Sequence, residues 1–140
     1  MLLAVAVPGL IVDIAKTIFG RARPKLLFLG GTYGFTWGAG QADYWSFPSG
    51  HATTMGALAT ALTLLWPRLF PAYAIAALLV GASRVIIGAH YLSDVIAGAA
   101  VGAGVTWAIW LGFGRAGVAL AATAPTPPET PSIPVRSLER

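Results

Sequence analysis

Four apolar stretches, each closed by proline, glycine or charge, constrain this chain more than any other feature of it. They run roughly from Leu2 to Phe19, from Ser49 to Trp66, from Ala72 to Ile87 and from Tyr91 to Phe113. A hydrocarbon core of about 30 Å is crossed by about 17 to 25 helical residues at about 1.5 Å each, a requirement these stretches meet at its short end. A buried bundle in a soluble protein would need polar faces to meet water, and these stretches have almost none. Only 10% of residues are charged and 56% are hydrophobic, whereas soluble domains carry about 25% charge. The expected fold is therefore all-α, a polytopic membrane bundle of about four transmembrane helices.

The length of 140 residues allows one domain, expected over residues 1–114. The segment 115–140 contains "ATAPTPPETPSIPVRSLER", which is Pro-rich and without apolar period, and is expected to be disordered. The first apolar stretch begins at Met1 with no basic residue ahead of it, so a signal peptide fits poorly and a chain shortened at its N-terminus is expected. The segment "LGGTYGFTWGAGQADYWSF" is too rich in glycine to span and is expected to be a loop, with the aromatics of "TYGFTWGAGQADYW" within it forming an interfacial belt or, less simply, a lid. Gly98 and Gly102 have G-x-x-x-G spacing, which suits close packing within one bundle. Cysteine is absent, which excludes disulfides and thiolate metal sites. The net charge of +4 is not gathered in a block, so nucleic acid is not an expected partner.

Ionisable groups in such a chain are costly, and their positions are informative. Lys16, Arg21 and Arg23 lie where the first helix leaves the membrane; snorkelling to headgroups accounts for them as well as a ligand does. Pro48, Ser49 and Gly50 open the second helix. That is an ordinary helix start, yet free N–H groups beside a glycine also make an anion site. His51 stands in the first turn as either a capping group or an acid/base. His90 and Asp94 are four residues apart. If the last helix begins near His90, the carboxylate shares its face and could accept the Nδ1 proton, leaving Nε2 as a lone pair. The same pair could merely tie a helix start. Arg84, near the end of the third helix, suits phosphate oxygens. Strict alternation of the helices brings all three clusters to one membrane face.

Lys16-x6-Arg23-Pro24, then Pro48-Ser49-Gly50-His51, then Ser83-Arg84-x5-His90-x3-Asp94 resembles the three-part signature of the type 2 phosphatidic acid phosphatase (PAP2) superfamily, complete and in order. Membrane members have six helices, so the resemblance implies that two N-terminal helices of the family core are missing here. It implies hydrolysis of a lipid phosphate monoester or isoprenyl pyrophosphate through a phosphohistidine, with no metal and no cofactor. His90 would be the nucleophile, oriented by Asp94, and His51 the acid and base. Lys16, Arg23 and Arg84, with the Ser49 hydroxyl and the Gly50 N–H, would hold the phosphoryl oxygens. Asp13 is expected to pair with Lys16, and Arg21 and Lys25 to meet headgroups.

The expected partners are the membrane and a phosphorylated lipid such as a phosphatidate, an isoprenyl pyrophosphate or a lipid A phosphate; no oligomeric state is implied. With strict alternation of the helices, Arg68, Arg115, Arg136 and Arg140 are expected on the face away from the site. Once the site cations are set aside, they favour a plasma or inner membrane location with the site facing outward. Competing readings are a lipid phosphotransferase, a vanadate haloperoxidase, which the spans disfavour, and a non-catalytic membrane protein that binds anionic lipid.

Overall fold

The computed structural model describes residues 2–115, and all its regular elements are helical. In order they are α1 (Leu2–Phe19), α2 (Pro24–Gly30), α3 (Gly50–Leu65), α4 (Phe70–Ile86) and α5 (Leu92–Arg115), with short 3-10 turns at Ala42–Tyr44 and Pro67–Leu69. The expected tail lies outside the described residues from 116 onward. Three helical segments are long and apolar enough to cross a membrane: Leu2–Phe19, Pro67–Ile86 and Leu92–Arg115. The stretch expected as the second of four spans is α3, with 16 residues; at about 1.5 Å per residue it is about 24 Å long, the shortest of the four long helices.

The reason α3 can be short is its place. It packs against α1, α4 and α5 and forms the axis of the bundle. Its buried residues are small: Ala52, Thr53, Gly56, Ala57 and Ala61. Large apolar side chains instead face outward, among them Leu10, Ile14, Ile75, Leu78, Leu79 and Ile96. This is the distribution of an integral membrane protein, whose core is built from close backbone approach and whose lipid face carries the bulk.

The G-x-x-x-G pair does pack within the bundle. A Cβ on Gly98 would stand 2.4 Å from the Ser49 carbonyl oxygen, and one on Gly102 would stand 2.0 Å from that of Thr53. Both obstacles are backbone, so α5 can lie against α3 only because these residues lack side chains.

Pro8 interrupts α1 and is fully buried. Lacking an N–H, it leaves the Ala4 carbonyl without its i+4 partner. Thr106 Oγ1 of α5 donates to that carbonyl at 2.9 Å. A neighbouring helix thus repairs the break, as a low-dielectric surrounding requires.

The segment between α1 and α3 is more ordered than its composition suggests. Gly20 turns the chain out of α1 at φ +54°, and a Cβ there would meet the Thr36 carbonyl oxygen at 1.9 Å. The chain then forms an isolated antiparallel bridge from Arg21 to Phe35. Pro24 starts the seven-residue α2, the position where its missing N–H costs nothing. Two of the aromatics expected in a belt or lid, Phe35 and Trp37, gather with Phe47 on the end of α1: Phe19 packs against Trp37 at 5.3 Å, Phe47 at 5.4 Å and Phe35 at 6.3 Å between ring centroids, whereas Tyr33 packs against Tyr91. Trp37 and Phe35 keep exposed faces, so this cluster is both a clamp on the loop and an apolar surface.

Candidate active site

At the end of the bundle where α1 and α4 finish and α3 and α5 begin, a cavity of about 570 Å³ opens. Lys16, Arg23, Gly50, His51, Arg84 and His90 all line it. Three sequence regions therefore supply one wall, which holds three permanent cations. The carboxylate in the wall is Asp13, and it is paired with Lys16 at 3.0 Å as their spacing suggests.

Each element delivers its group for a local reason. Lys16 lies in the last turn of α1, and its Nζ rests against Gly50, 3.0 Å from where a Cβ would be. Arg23 follows the Gly20 turn; its N–H donates to the Asp43 carbonyl at 2.9 Å and its Nε to that of Ala42 at 3.1 Å, which aims the remaining guanidinium atoms at the cavity. Gly50 and His51 form the first turn of α3. The first amide there bonded to a preceding helical carbonyl is that of Thr53, to Ser49 at 3.0 Å. The earlier amides are left for an anion, and the helix dipole favours one. Arg84 lies in the last turn of α4, and its carbonyl accepts from the His90 N–H at 3.2 Å, which folds the histidine back toward the arginine.

His90 is buried, whereas His51 is exposed at the cavity. His90 Nδ1 lies 2.6 Å from the Ser46 carbonyl oxygen. A carbonyl can only accept, so Nδ1 carries the proton and Nε2 carries the lone pair. Burial holds the His90 pKa below the ordinary 6.5, opposed by the Ser46 hydrogen bond and aided by the charge of Arg23. Burial therefore favours the neutral ring, with its lone pair on Nε2.

Two sequence-based expectations need correction here. Helix α5 begins at Leu92, so His90 lies in the preceding turn and the i, i+4 relation to Asp94 does not apply. Asp94 accordingly makes no hydrogen bond to His90. It is fully buried and reaches back to the Tyr91 N–H at 2.9 Å, the second half of a capping box, and it also accepts from Ser46 Oγ at 2.6 Å and from Arg21. Ser49 likewise sits behind the wall: it is fully buried and its Oγ has no partner. In this arrangement the hydroxyl does not reach the cavity.

Sequence reasoning missed Arg21 and Ser46. Arg21, expected at the headgroups, is 7% exposed, ion-paired with Asp94 and capped by the Tyr91 ring at 4.4 Å. Its wildcard position between Lys16 and Arg23 gave no signal, and Ser46 read as loop. Lys25 does lie on the surface, where it pairs with Asp43. Among the described residues no group of three or more His, Asp or Glu gathers as a metal cage would require.

Comparison with known proteins agrees with the signature. The lipid A 1-phosphatase of Rhizobium etli is 48% identical over 94 residues, which cover 67% of this chain and 40% of that protein. That of Rhizobium johnstonii is 43% identical over 110 residues, 79% of this chain and 45% of that protein. That of Porphyromonas gingivalis is 36% identical over 104 residues, 71% of this chain and 20% of that protein. The chain thus spans less than half the length of these curated relatives. No solved structure matches it. The profile of the PAP2 superfamily matches residues 1–117, which include the whole of the described bundle; with the three signature segments meeting at one cavity, the chain belongs to the PAP2 superfamily.

Proposed function

We propose that the domain at residues 1–114 is a membrane lipid phosphatase, which releases phosphate from a lipid phosphate monoester through a phosphohistidine on His90. The observation that carries the reading is the convergence of Lys16, Arg23, Arg84, His51 and His90 on one cavity from four separate helices or their ends. The wall would hold a phosphoryl group by its equatorial oxygens, with the α3 amides beneath it. Three cations supply the charge that a metal supplies elsewhere, so the chemistry needs none. Ser49 would join them only by turning its hydroxyl out of its buried position.

His90 Nε2 attacks phosphorus, and the bond to the leaving oxygen breaks in line. His51 gives that oxygen its proton, and the lipid leaves as an alcohol. His51 then takes a proton from water, whose oxygen attacks phosphorus as the P–N bond breaks. Inorganic phosphate leaves and His90 is neutral again. Asp94 touches neither substrate nor His90 and serves as a positioning residue.

The names of the relatives favour a lipid A 1-phosphate as substrate, with phosphatidates and isoprenyl pyrophosphates as the alternatives of the same depth in the bilayer. Such substrates, and the basic residues away from the cavity, favour an inner membrane location with the site facing outward. Phosphate release from lipid A, phosphatidate and an isoprenyl pyrophosphate, measured in detergent with chelator present, tests the reading. Release from wild type and none from His90→Ala is expected. Equal release from His90→Ala removes the phosphohistidine, and restoration only by added divalent metal removes the cationic pocket. No release from folded wild-type protein leaves the non-catalytic anionic-lipid reading, and transfer of the phosphoryl group to an added alcohol in place of water indicates a phosphotransferase.

A further inference from the structure

Ser46 is fully buried, and every polar atom it has is engaged. Its N–H donates to the Arg21 carbonyl at 3.1 Å, its Oγ donates to Asp94 Oδ2 at 2.6 Å, and its carbonyl accepts from His90 Nδ1 at 2.6 Å. Asp94 is the hub behind it. A carboxylate removed from water in this way is tolerated only when paired and hydrogen-bonded, and Arg21 supplies the charge. The guanidinium is itself confined: Nη1 also donates to Ser93 Oγ at 2.8 Å, while the rings of Tyr91 and Phe35 lie 4.4 and 5.2 Å from its central carbon. Arg21 therefore points away from the cavity and cannot serve as another phosphate ligand.

We infer that Arg21 and Ser46 are positioning residues: Arg21 holds Asp94, Asp94 pins the Ser46 hydroxyl, and the Ser46 carbonyl fixes the tautomer and aim of His90. The relay joins the end of α1, the loop before α3 and the start of α5. It rests on the reading of His90 as nucleophile. Its logic differs from a direct carboxylate contact. A carbonyl acceptor cannot take the proton, so Nδ1–H is retained throughout and the lone pair stays on Nε2. The direction of that carbonyl depends on the plane of the Ser46–Phe47 peptide, which the Oγ–Asp94 bond restrains. Loss of the hydroxyl lets the plane rock, and misaimed attack slows chemistry without weakening phosphate binding.

The test uses the full chain in detergent. Ser46→Ala is expected to lower kcat about tenfold with KM unchanged within about twofold, since one charge-assisted hydrogen bond is lost far from the ligand. Ser46→Thr, which keeps the hydroxyl, restores most of the rate. Arg21→Ala combined with Asp94→Asn is expected to lose less than the product of the single losses, because a neutral amide no longer needs the cation. A second readout does not depend on activity. The chain has two histidines, so ¹⁵N-histidine NMR, assigned with His51→Gln, reports the His90 tautomer alone. Wild type is expected to show Nδ1–H, and Ser46→Ala or Asp94→Asn a mixture. Asp94→Asn supplies that reading should Ser46→Ala fail to fold. Unchanged kcat and tautomer in a folded variant overturns the relay. A wild type that shows the tautomer but releases no phosphate leaves the relay in place and overturns the phosphatase reading.

Discussion

Thr106→Val tests how the bundle tolerates a proline in its first helix. The substitution keeps shape and removes one hydroxyl, which donates to the Ala4 carbonyl that Pro8 leaves unpartnered. Thr106 is 2% exposed, so water does not replace the lost donor. A buried acceptor without a partner costs about 1–3 kcal/mol, whereas hydrogen bonds between membrane helices average about 0.6 and reach about 1.7 kcal/mol. The lower scale applies when the freed group finds another partner. Here the carbonyl's own helical donor is missing, which places the cost near about 1.5 kcal/mol, at the top of the membrane range. Pro8→Ala returns the donor, and in that background Thr106→Val is expected to cost about 0.5 kcal/mol or less. The coupling of about 1 kcal/mol is read from a double-mutant cycle, by denaturant titration in mixed micelles followed by tryptophan fluorescence. Equal costs in both backgrounds would show that the hydroxyl is not repairing the proline break.

Three further outcomes follow from the same geometry. Gly102→Ala drives a methyl into the Thr53 carbonyl and should destabilise the bundle by about 3 kcal/mol or more, while Gly104→Ala on the same helix meets nothing within 4 Å and should be neutral in the same titration. Gly50→Ala places a methyl 3.0 Å from Lys16 Nζ, the movable end of a flexible side chain; stability should hold while kcat/KM for a lipid phosphate falls about tenfold or more, as the ammonium is pushed off the anion site. The acid limb of the rate profile should inflect below pH 6.5, because burial lowers the His90 pKa and the proposed nucleophile is the neutral ring. The sign for stability is the same: the unfolded chain binds the proton more readily, so the His90 contribution is complete above pH 6.5 and is lost as pH falls through the lower folded value. An inflection above 6.5 contradicts a desolvated His90.

The apolar stretches and the three polar clusters were legible in the sequence because both are local. Hydrocarbon burial needs only length and composition, and alternation of four stretches suffices to bring Lys16, Arg23, His51, Arg84 and His90 to one end. The Asp13–Lys16 pair was legible for the same reason, being one helical turn. Tertiary structure decided the rest. α3 could be the shortest of the four long helices because it is enclosed by the other three. Asp94 turned from His90 to Ser46 and Arg21 because α5 starts at Leu92, two residues later than its spacing to His90 suggests. Arg21 went inward because a buried carboxylate from a helix 73 positions away demands a counter-charge. Spacing along a chain reports which groups share a turn; which buried donor meets which acceptor depends on segments distant in sequence, and so it is settled only when they pack.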